Sequence, residues 1–347
     1  MTHFLRNYWY VAARSEEIGR SLLRRVILNE PIVFYRTEAG EAVAMEDRCC
    51  HRSVPLSIGK LVADTVQCGY HGLKFDKTGR CVFMPGQDKI PAVAKVKSYP
   101  LIERWSMIWL WMGDAEPDES LLPDFSIIDR PGWAAVGDFV HIKADYLLCV
   151  DNLLDLSHIS YVHERTIGTV DVARAGVRTQ RDGENIKVTR WMLDVPPPPM
   201  FQKFGLDTNI DRWQIVTATA PCYLWLVVGG AKAGTGAQDG NRQNGIERWN
   251  LNRMTPETDG SAFMFWTEVR NFQIDDPAAG DMLKSQMKMT LQEDADILEL
   301  QQRTMDEMPG ASTVDITFDA GSIQFRRQVK RLLEQQAAQA ARVSEPA

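Results

Sequence analysis

The chain has 347 residues, enough for one large domain or two ordinary ones, and its composition of 44% hydrophobic and 24% charged residues is that of a globular protein. A net charge of −7 argues against nucleic acid or an anionic membrane as the main partner. The first residues do not resemble a secretory signal, the apolar runs are too short to cross a membrane, and the six cysteines lack a disulfide-scaffold spacing, so the sequence predicts a cytoplasmic protein.

Residues 1–112 are predicted to be rich in β-strands. Runs of strand-forming residues, punctuated by Gly, Pro or Asp, occupy 24–36, 41–47, 81–85 and 106–114. The segment 116–123 after the last run has the composition of a linker. We therefore predict a domain boundary near residue 112, with one domain at 1–112 and a second at 113–347.

The second domain combines strands with helices. Strand patterns occur at 187–193, 211–220, 222–228 and 262–272. The segment 141–163 begins strand-like and becomes helical at about residue 147, a long helical pattern starts at 276, and a last helix is predicted near 320–341. The Gly-rich segment 229–245 has the length of an active-site lid, and a plain surface loop fits it equally well.

Two short motifs in the first domain predict a metal centre. Cys49 and His51 form a C-x-H motif, and Cys68 and His71 form a C-x-x-H motif after sixteen intervening residues. Two thiolates and two imidazoles are the ligands of a Rieske-type [2Fe–2S] cluster, in which the histidines bind one iron and raise the reduction potential. A Cys2His2 zinc site, the alternative, pairs Cys with Cys and His with His, so the mixed pairing favours the cluster.

The neighbours of these ligands refine that interpretation. Cys50 is adjacent to His51 and cannot complete a C-x-H chelate, so we expect a buried bystander. Rieske proteins of respiratory complexes carry a supporting disulfide beside their ligands, whereas Gly69 and Tyr70 offer no partner for one. This difference favours the oxygenase branch of Rieske proteins over the respiratory branch.

A second motif, at 151–164, holds Asp155, His158 and His163. Two imidazoles and one carboxylate form the facial triad of non-haem iron(II) oxygenases, which leaves metal positions open for O2. The two histidines are five residues apart, so a helix that carries both must distort or end between them for both to reach one metal. Asp155 shares a helix face with His158 and suits the role of its hydrogen-bond acceptor better than that of a ligand.

The carboxylate ligand must then come from elsewhere. The predicted long helix supplies an acidic run at 291–302, with four candidates: Glu293, Asp294, Asp296 and Glu299. The residues alone do not distinguish among them, and an acidic run on a helix is usually a solvated face. The redox cluster in the same chain is what favours a metal site over a pair of histidines packed in a core.

Aromatic residues on the predicted strands of the second domain suit a ring-binding pocket, with ordinary core packing as the competing explanation. They are Trp213, Trp225, Phe263, Phe265 and Trp266. Arg270 is a candidate partner for a substrate carboxylate or sulfonate through paired hydrogen bonds, and a structural ion pair is its alternative role.

The two metal motifs, in this order and over nearly the whole chain, resemble the α-subunits of Rieske non-haem iron aromatic-ring oxygenases. Segments that fit one branch of that family are NYWYVA (7–12), CGYHGLKFD (68–76), MPGQ (84–87), DNLLDLSHISYVH (151–163), RWQI (212–215), VRNF (269–272) and DAG (319–321). The branch contains vanillate O-demethylase and toluenesulfonate methyl-monooxygenase oxygenases, with dicamba O-demethylase more distant. EDRCCHRS (46–53) is similar to the toluenesulfonate side.

The resemblance implies an α+β fold: an N-terminal β-rich Rieske [2Fe–2S] domain and a C-terminal catalytic domain with an antiparallel sheet flanked by helices. It implies that His158, His163 and Asp294 bind one mononuclear Fe(II) per chain and that Asn152 lies beside this site. It makes Asp155 the bridge between two metal centres in a head-to-tail homotrimer, where Asp155 contacts His158 of its own chain and His71 of the partner subunit.

The expected function is that of the terminal oxygenase component of a monooxygenase that uses O2 and electrons from a separate ferredoxin or flavin reductase, so that NAD(P)H acts only indirectly. The expected substrate is a small aromatic acid. Its oxidation is O-demethylation of a methoxybenzoate such as vanillate, or methyl hydroxylation of a toluate or toluenesulfonate. The alternatives are a Rieske dioxygenase or hydroxylase of another cyclic substrate, a Rieske electron carrier without oxygenase chemistry, and a zinc protein.

Overall fold

The computed structural model describes residues 4–163, 172, 174–242 and 245–344. The chain divides into two compact units: one is Arg6–Leu122, and the other is Pro123–Ala347 together with Met1–Leu5. The sequence places its domain boundary earlier, near residue 112. Each unit has its own sheets and its own buried core.

The segment that follows the last strand of the first unit is tied back to that unit. Trp9 Nε1 donates a hydrogen bond to the main-chain oxygen of Asp118 at 2.8 Å, and Trp111 Nε1 donates to that of Ala115 at 2.8 Å. Both indole rings are buried, and their N–H groups need a partner there. This explains why the unit extends to Leu122.

The first unit consists of short antiparallel strands. They are β1 Tyr8–Arg14, β2 Leu23–Ile27, β3 Glu30–Arg36, β4 Ala42–Glu46, β5 Lys60–Val62, β6 Thr65–Gln67, β7 Lys74–Phe75, β8 Cys81–Phe83, β9 Leu101–Arg104 and β10 Met107–Met112. They form sheets with the strand orders β1-β10-β9, β2-β3-β4 and β5-β6-β7-β8. The predicted run 24–36 is a hairpin, because Leu28 and Asn29 have positive φ and make a two-residue turn.

The core of the first unit is continuous with its two cysteine motifs. Val33 and Tyr35 point inward from β3 and pack in one cluster of buried residues with Phe75, Cys49 and Cys68. The Cys49 loop follows β4, and the Cys68 loop connects β6 to β7. Two adjacent loops are therefore held at fixed positions by a packed core beneath them.

The second unit contains one large antiparallel sheet. Its strands are β11 Ala134–Ile142, β12 Val177–Asp182, β13 Asn185–Val195, β14 Ile210–Thr219, β15 Tyr223–Lys232, β16 Ile246–Thr258 and β17 Ser261–Arg270. They are ordered β11-β17-β16-β15-β14-β13-β12. All ten residues of β17 are buried, as expected for a central strand covered on both faces.

Helices in the second unit precede β12 or follow β13 and β17. The α-helices whose bounds lie within the described residues are α1 Tyr146–Leu154, α2 Ile159–Val162, α3 Pro199–Lys203, α4 Pro277–Glu307 and α5 Ala320–Ser344. Asp276 caps α4 by accepting from Ala278 N at 2.9 Å, and Pro277 occupies the first helical position. The predicted helices near 147, from 276 and near 320–341 are confirmed.

The helix after α1 is interrupted, as the spacing of the two histidines requires. Helix α1 ends at Leu154, a 3-10 turn covers Leu156–His158, and α2 ends at Val162. Asp155 closes α1 and opens the 3-10 turn, with its side chain accepting from Ser157 N. The break at Asp155 means that it does not share a continuous helix face with His158.

One face of the large sheet is covered by helices α1, α4 and α5. A Cβ atom on Gly280 in α4 would lie 3.2 Å from Val136 of β11, and one on Gly321 in α5 would lie 2.7 Å from Val188 of β13. The close approach of α5 therefore depends on glycine at position 321, and α4 at Gly280 also lies close to the sheet. The strand register pairs residues one after another across the sheet, from Val136 on β11 to Val188 on β13. Residues in such a row point to the same side of the sheet, so the row of Val136 and Val188 marks the side that faces the helices.

The Gly-rich segment is shorter than the sequence suggests. Strand β15 continues to Lys232, so the connection to β16 begins at Ala233. Gln243 and Asn244 lie outside the described residues, and the lid prediction falls partly on them. Among the described residues, no helix is both long and apolar enough to span a membrane.

Candidate metal centres

The four predicted cluster ligands lie on two closed loops of the first unit. Cys49 N donates to the main-chain oxygen of Val54 at 2.8 Å, which closes the first loop. Cys68 N donates to that of Leu73 at 2.8 Å, which closes the second. Gly72 adopts a φ of 76° inside this second loop, a conformation that glycine takes without strain.

Burial separates the cysteines from the histidines. Cys49 and Cys68 are 1% and 2% exposed, whereas His51 and His71 are exposed and their ring centroids are 4.7 Å apart. Burial, together with the adjacent Cys68, raises the pKa of the Cys49 thiol to about 11. A bound cation would supply the charge that stabilises the thiolates, so this donor set fits a cluster with a buried cysteine-ligated iron and a surface histidine-ligated iron.

Cys50 lies beside these ligands without joining the motif. Its side chain is half-buried, not fully buried as the sequence suggests, and with His51 and His71 it lines a surface cavity of about 420 Å³. None of the six cysteines, all of which the structure describes, is in a disulfide.

The second metal motif and the acidic run of α4 meet at one point. Nε2 of His158 and Nε2 of His163 lie 3.4 Å and 3.1 Å from the same oxygen, Oδ1 of Asp294. One ligand atom from each of the three residues lies within 4.8 Å of the other two. Two imidazoles and one carboxylate can bind iron(II) on one side and leave the opposite side open for O2.

Hydrogen bonds fix which nitrogen of each imidazole faces the metal position. Nδ1 of His163 lies 2.7 Å from Oε2 of Glu293, and Nδ1 of His158 lies 2.5 Å from the main-chain oxygen of Asp155. With a proton on each Nδ1, both Nε2 atoms present a lone pair toward Asp294. Of the two neutral tautomers of each histidine, these hydrogen bonds select the one with its proton on Nδ1, which leaves Nε2 for a metal.

The charges at this site also fit a cation. Burial by itself raises the pKa of Asp294, but hydrogen bonds and charge interactions with His158 and His163 outweigh it and lower the pKa to about 2. Burial lowers the pKa of His163, and Asp294 and Glu293 raise it by a larger amount. Asp294 is therefore ionised, and a metal ion would replace the proton that His163 otherwise attracts.

The other acidic candidates have separate partners. Glu299 accepts from Lys143 N at 3.0 Å, which links α4 to the chain after β11. Asp296 accepts from Gln292 one turn earlier on the exposed side of α4. Of the four acids left open by the sequence, the structure brings Asp294 to both histidines and Glu293 to the far side of one of them.

Asn152 and Asp155 flank the metal position. Asn152 Nδ2 donates to Asp294 Oδ1 at 3.1 Å. The Asp155 carboxylate accepts from N and Oγ of Ser157 at 2.8 and 2.9 Å, so the expected contact with His158 is made by the Asp155 main chain rather than by its side chain. The break in the helix turns the carboxylate into an N-cap.

A surface cavity of about 490 Å³ leads to the metal position formed by His158, His163 and Asp294. Its lining includes Asn152, Asp155 and His158 from the interrupted helix, and Leu298 and Met305 from α4. The side chain of His158 is 17% exposed, whereas that of His163 is 1% exposed. His158 is thus the histidine nearer the surface.

The predicted aromatic pocket divides between the two faces of the sheet. Trp266 lies on the helix-facing side, in register with Asp138, whose carboxylate binds Lys288 of α4. The other four aromatics occupy alternate positions that point to the opposite face, where Trp213 and Trp225 pack in one cluster. They form core there, away from the helix-covered side.

Arg270 also points toward the helices. Its Nη2 donates to the main-chain oxygens of Gln273 and Asp276, each at 3.1 Å, immediately before α4. In this position the guanidinium holds the start of the helix through main-chain oxygens, a structural contact of a different kind from the predicted ion pair.

Comparison with known proteins gives the same division of the chain. A model described as Rieske [2Fe-2S] domain matches residues 8–100, and one described as Vanillate O-demethylase oxygenase C-terminal domain matches residues 142–335. The iron-sulfur subunit TsaM1 of the toluene-4-sulfonate monooxygenase system of Comamonas testosteroni is 38% identical over 95% of this chain and 97% of its own length. The vanillate O-demethylase oxygenase subunit of Pseudomonas sp. strain HR199 is 38% identical over 99% of both chains.

A solved structure supports the fold. Dicamba monooxygenase bound to 3,6-dichlorosalicylic acid has a TM-score of 0.90 and 34% identity, covering 96% of this chain and 99% of that one. The combination of domains defines a Rieske non-haem iron oxygenase. The chain belongs to the vanillate O-demethylase oxygenase family and is the oxygenase component of a Rieske monooxygenase. Its cofactors are a Rieske [2Fe–2S] cluster and a mononuclear iron, and both donor sets described above fit them.

Proposed function

We propose that the chain oxidises a methyl or methoxy carbon of a substituted aromatic acid, with electrons from a separate reductase. The observation that carries the proposal is the convergence of His158, His163 and Asp294 in the unit that does not hold the Rieske motifs. Relatives are named for toluene-4-sulfonate and vanillate, and the similar solved structure holds 3,6-dichlorosalicylic acid. All three molecules are aromatic rings that carry an acid group.

The assigned residues divide between two functions. Cys49, His51, Cys68 and His71 hold the cluster, and the unit that contains them receives electrons. The three residues of the facial triad hold the mononuclear iron, which when bound supplies the site of O2 reduction. Asn152 and Glu293 orient the triad through the hydrogen bonds described above.

The overall reaction balances for both kinds of substrate carbon. One oxygen atom of O2 is inserted into a C–H bond, and the other leaves as water after uptake of two electrons and two protons. Oxidation of a methoxy carbon gives a hemiacetal, which breaks its C–O bond to release a phenol and formaldehyde. Oxidation of a ring methyl gives a benzylic alcohol. The protein's contribution is to bind the ring, place the carbon and limit water access.

Asp155 is proposed as the electron-transfer bridge in a head-to-tail homotrimer. Its carboxylate is anchored by Ser157 and lines the surface cavity beside His158. His71 is exposed on its own unit, as a residue that transfers electrons to another chain must be. The bridge would therefore join His158, through Asp155, to His71 of the partner subunit.

The activity is tested with enzyme that contains both metal centres and a reductase. Methoxybenzoates, toluates and toluenesulfonate are assayed for substrate-dependent O2 uptake, formaldehyde and benzylic alcohol. We expect coupled oxidation of at least one of them and its loss in His158→Ala. A ring diol without formaldehyde would indicate a dioxygenase, and unaltered electron transfer without oxidation of any substrate would indicate an electron carrier. Either result contradicts the proposal.

The trimer is tested by co-expressing two inactive variants. Cys68→Ser removes a cluster ligand, and His158→Ala removes an iron ligand, so neither chain alone has both centres. In a mixed head-to-tail trimer the cluster of one chain adjoins the iron of the next, and roughly a quarter of wild-type activity returns in a random equal mixture. Electron transfer within one chain would leave the mixture inactive.

A further inference from the structure

The helix-facing side of the large sheet contains buried polar side chains that its hydrogen bonds do not satisfy. Arg248, Asn250 and Asn252 on β16 and Glu268 on β17 are between 0% and 7% exposed. Within the described part of the chain, no hydrogen bond reaches Nε and Nη1 of Arg248, Nδ2 of Asn250, Oδ1 of Asn252, or either carboxylate oxygen of Glu268. A buried polar atom without a hydrogen-bond partner lowers the stability of the folded protein. This cluster of side chains therefore indicates a role other than stabilising the fold.

The cluster is compact because its residues are neighbours in the sheet register. Asn250 pairs directly with Glu268 across β16 and β17, and Arg248 is two residues before Asn250 on the same face. Nη1 of Arg248 lies 3.8 Å from Oε2 of Glu268, too far for a hydrogen bond but close enough for one atom to bond to both. Burial raises the pKa of Glu268, and the charge of Arg248 opposes that rise.

This group of buried polar side chains, on β16 and β17, faces the helices that carry the residues of the iron site. Glu268 lies in the row of Val136 and Val188, which touch α4 and α5. Helix α1, which carries Asn152, packs against β14, β16 and β17. Thr290 lies on the buried side of α4 one turn before Asp294, and its Oγ1 likewise has no partner among the described residues. Unsatisfied polar atoms thus occur on both the sheet and the helix that carries the iron ligand.

In one row across the sheet, each arginine interacts with an acidic residue. Arg190, Gln214, Val228, Arg248 and Arg270 are consecutive partners in one row across the sheet. Arg190 interacts with the charge of Asp155, and Arg270 with that of Asp276. Arg248 lies beside Glu268. An additional anion at Arg248 would lie against Glu268 without a cation of its own.

A neutral group that both donates and accepts a hydrogen bond fits this site best. Between Arg248 and Glu268, a hydroxyl can donate to the carboxylate and accept from the guanidinium, and Asn250 adds a second donor. A primary amide has the same dual capacity. A methyl or chloro substituent has neither, and would leave the buried atoms unsatisfied.

We propose that Arg248, Asn250 and Glu268 form a specificity site that binds a neutral donor–acceptor substituent, foremost a ring hydroxyl, on the aromatic substrate. The inference rests on the proposed function, because it places this cluster in the substrate pocket of the same enzyme. It narrows the substrate class to aromatic acids that carry such a substituent in addition to the carbon that is oxidised.

The test compares the binding of matched ligands without turnover. Dissociation constants of 3-methoxybenzoate and its ring-hydroxylated derivatives are measured by calorimetry under anaerobic conditions, on enzyme loaded with both metals. We expect one hydroxylated derivative to bind roughly ten- to a hundred-fold more tightly than 3-methoxybenzoate. In Glu268→Gln that advantage falls at least several-fold, while 3-methoxybenzoate binds as before.

Two further variants guard against a purely structural effect. The double variant Arg248→Met, Glu268→Met removes both charges, a change that buried pairs often tolerate, and should abolish the hydroxyl advantage in a folded protein. Glu257→Gln is the matched control on β16, because Glu257 pairs with His141 away from the cluster. It should leave all dissociation constants unchanged.

The other outcomes contradict the proposal in distinct ways. Equal weakening of both ligands in Glu268→Gln would assign the residue a structural role. A strong preference for 3-methoxybenzoate over 3-methoxybenzamide that disappears in Arg248→Met would assign the site to the acid group instead. Failure of the proposed function is separable, since it would appear as absence of oxidation in every assay while the hydroxyl-dependent difference in binding remained.

Discussion

Nδ1 of His163 lies 2.7 Å from Glu293, while Nε2 of the same ring lies 3.1 Å from Asp294. Two adjacent residues of α4 therefore hold one imidazole from both edges. Adjacent helix positions point about 100° apart, so the ring fits between them only in one orientation. The sequence offers both residues as candidate iron ligands, and the geometry gives them different roles.

Replacing Glu293 should weaken iron binding without removing the site. Glu293→Ala deletes the acceptor for His163 Nδ1, and we expect a loss of iron affinity of roughly ten- to a hundred-fold, the usual effect of removing such a partner. Glu293→Gln, which keeps an acceptor, should lose less. Titration with Fe(II) measures the affinity, and Asp296→Ala is the control on the exposed side of the helix. Loss equal to that of Asp294→Ala would instead make Glu293 a ligand.

Replacing Asp294 should remove the mononuclear iron and spare the cluster. Asp294→Ala deletes the carboxylate that both histidines face. The measured iron content should fall from three atoms per chain toward the two of the [2Fe–2S] cluster, and the visible spectrum of the cluster should be unchanged. Retention of three iron atoms would transfer the carboxylate role to another acid on α4.

Asp155 and Ser157 should affect the rate of electron transfer more than metal content. Asp155→Asn keeps the shape of the side chain but removes its charge, so both metals should remain while oxidation of the reduced cluster slows severely. Ser157→Ala loses the Oγ bond that holds Asp155 and should slow it less. Rapid-mixing absorbance follows the cluster directly. A normal rate in Asp155→Asn would exclude the bridge.

The two cysteines after Arg48 should respond differently to the same substitution. Cys49→Ser replaces a buried predicted ligand and should abolish the [2Fe–2S] absorbance, because a hydroxyl is a poor substitute for thiolate. Cys50→Ser should keep it, since Cys50 only lines the neighbouring cavity. The reverse pattern would require a different ligand set.

Arg270 should contribute to stability rather than to acid recognition. Arg270→Gln removes hydrogen bonds to the main chain before α4, and we expect a decrease of about 1–3 kcal/mol in the free energy of unfolding. Binding of aromatic acids to the folded variant should change little. Undiminished stability with selectively lost acid binding would restore the substrate role predicted from the sequence.

The sequence points to candidate ligands more directly than to their surroundings. Cys49, His51, Cys68 and His71 follow from local spacing, and the need for a helix break between His158 and His163 follows from helical geometry. The choice among Glu293, Asp294, Asp296 and Glu299 does not, because it depends on how α4 is rotated against distant residues. Only tertiary packing supplies that information, and the resemblance to known oxygenases substituted for it.

Other features depended on the sheet register. Trp213 and Trp225 look like pocket residues in the sequence, but alternation along their strands directs them away from the helices. Arg248 and Glu268 have a detectable signal, since polar residues alternate inside strands that are otherwise apolar. That signal acquires meaning only once β16 and β17 are paired, which brings the two residues to the same face.

Hydrogen bonds hold helix α4 to the rest of its unit both before and after Asp294. Arg270 holds its start, while Glu299 and Gln302 bind main-chain N–H groups of Lys143 and Asp145. Deleting one helix residue between these hydrogen bonds would rotate the following side chains by about 100° around the helix axis. Asp294 would then no longer point toward His158 and His163. Along this stretch the chain can change length only in steps close to a whole helical turn, which makes residue number itself part of the metal site.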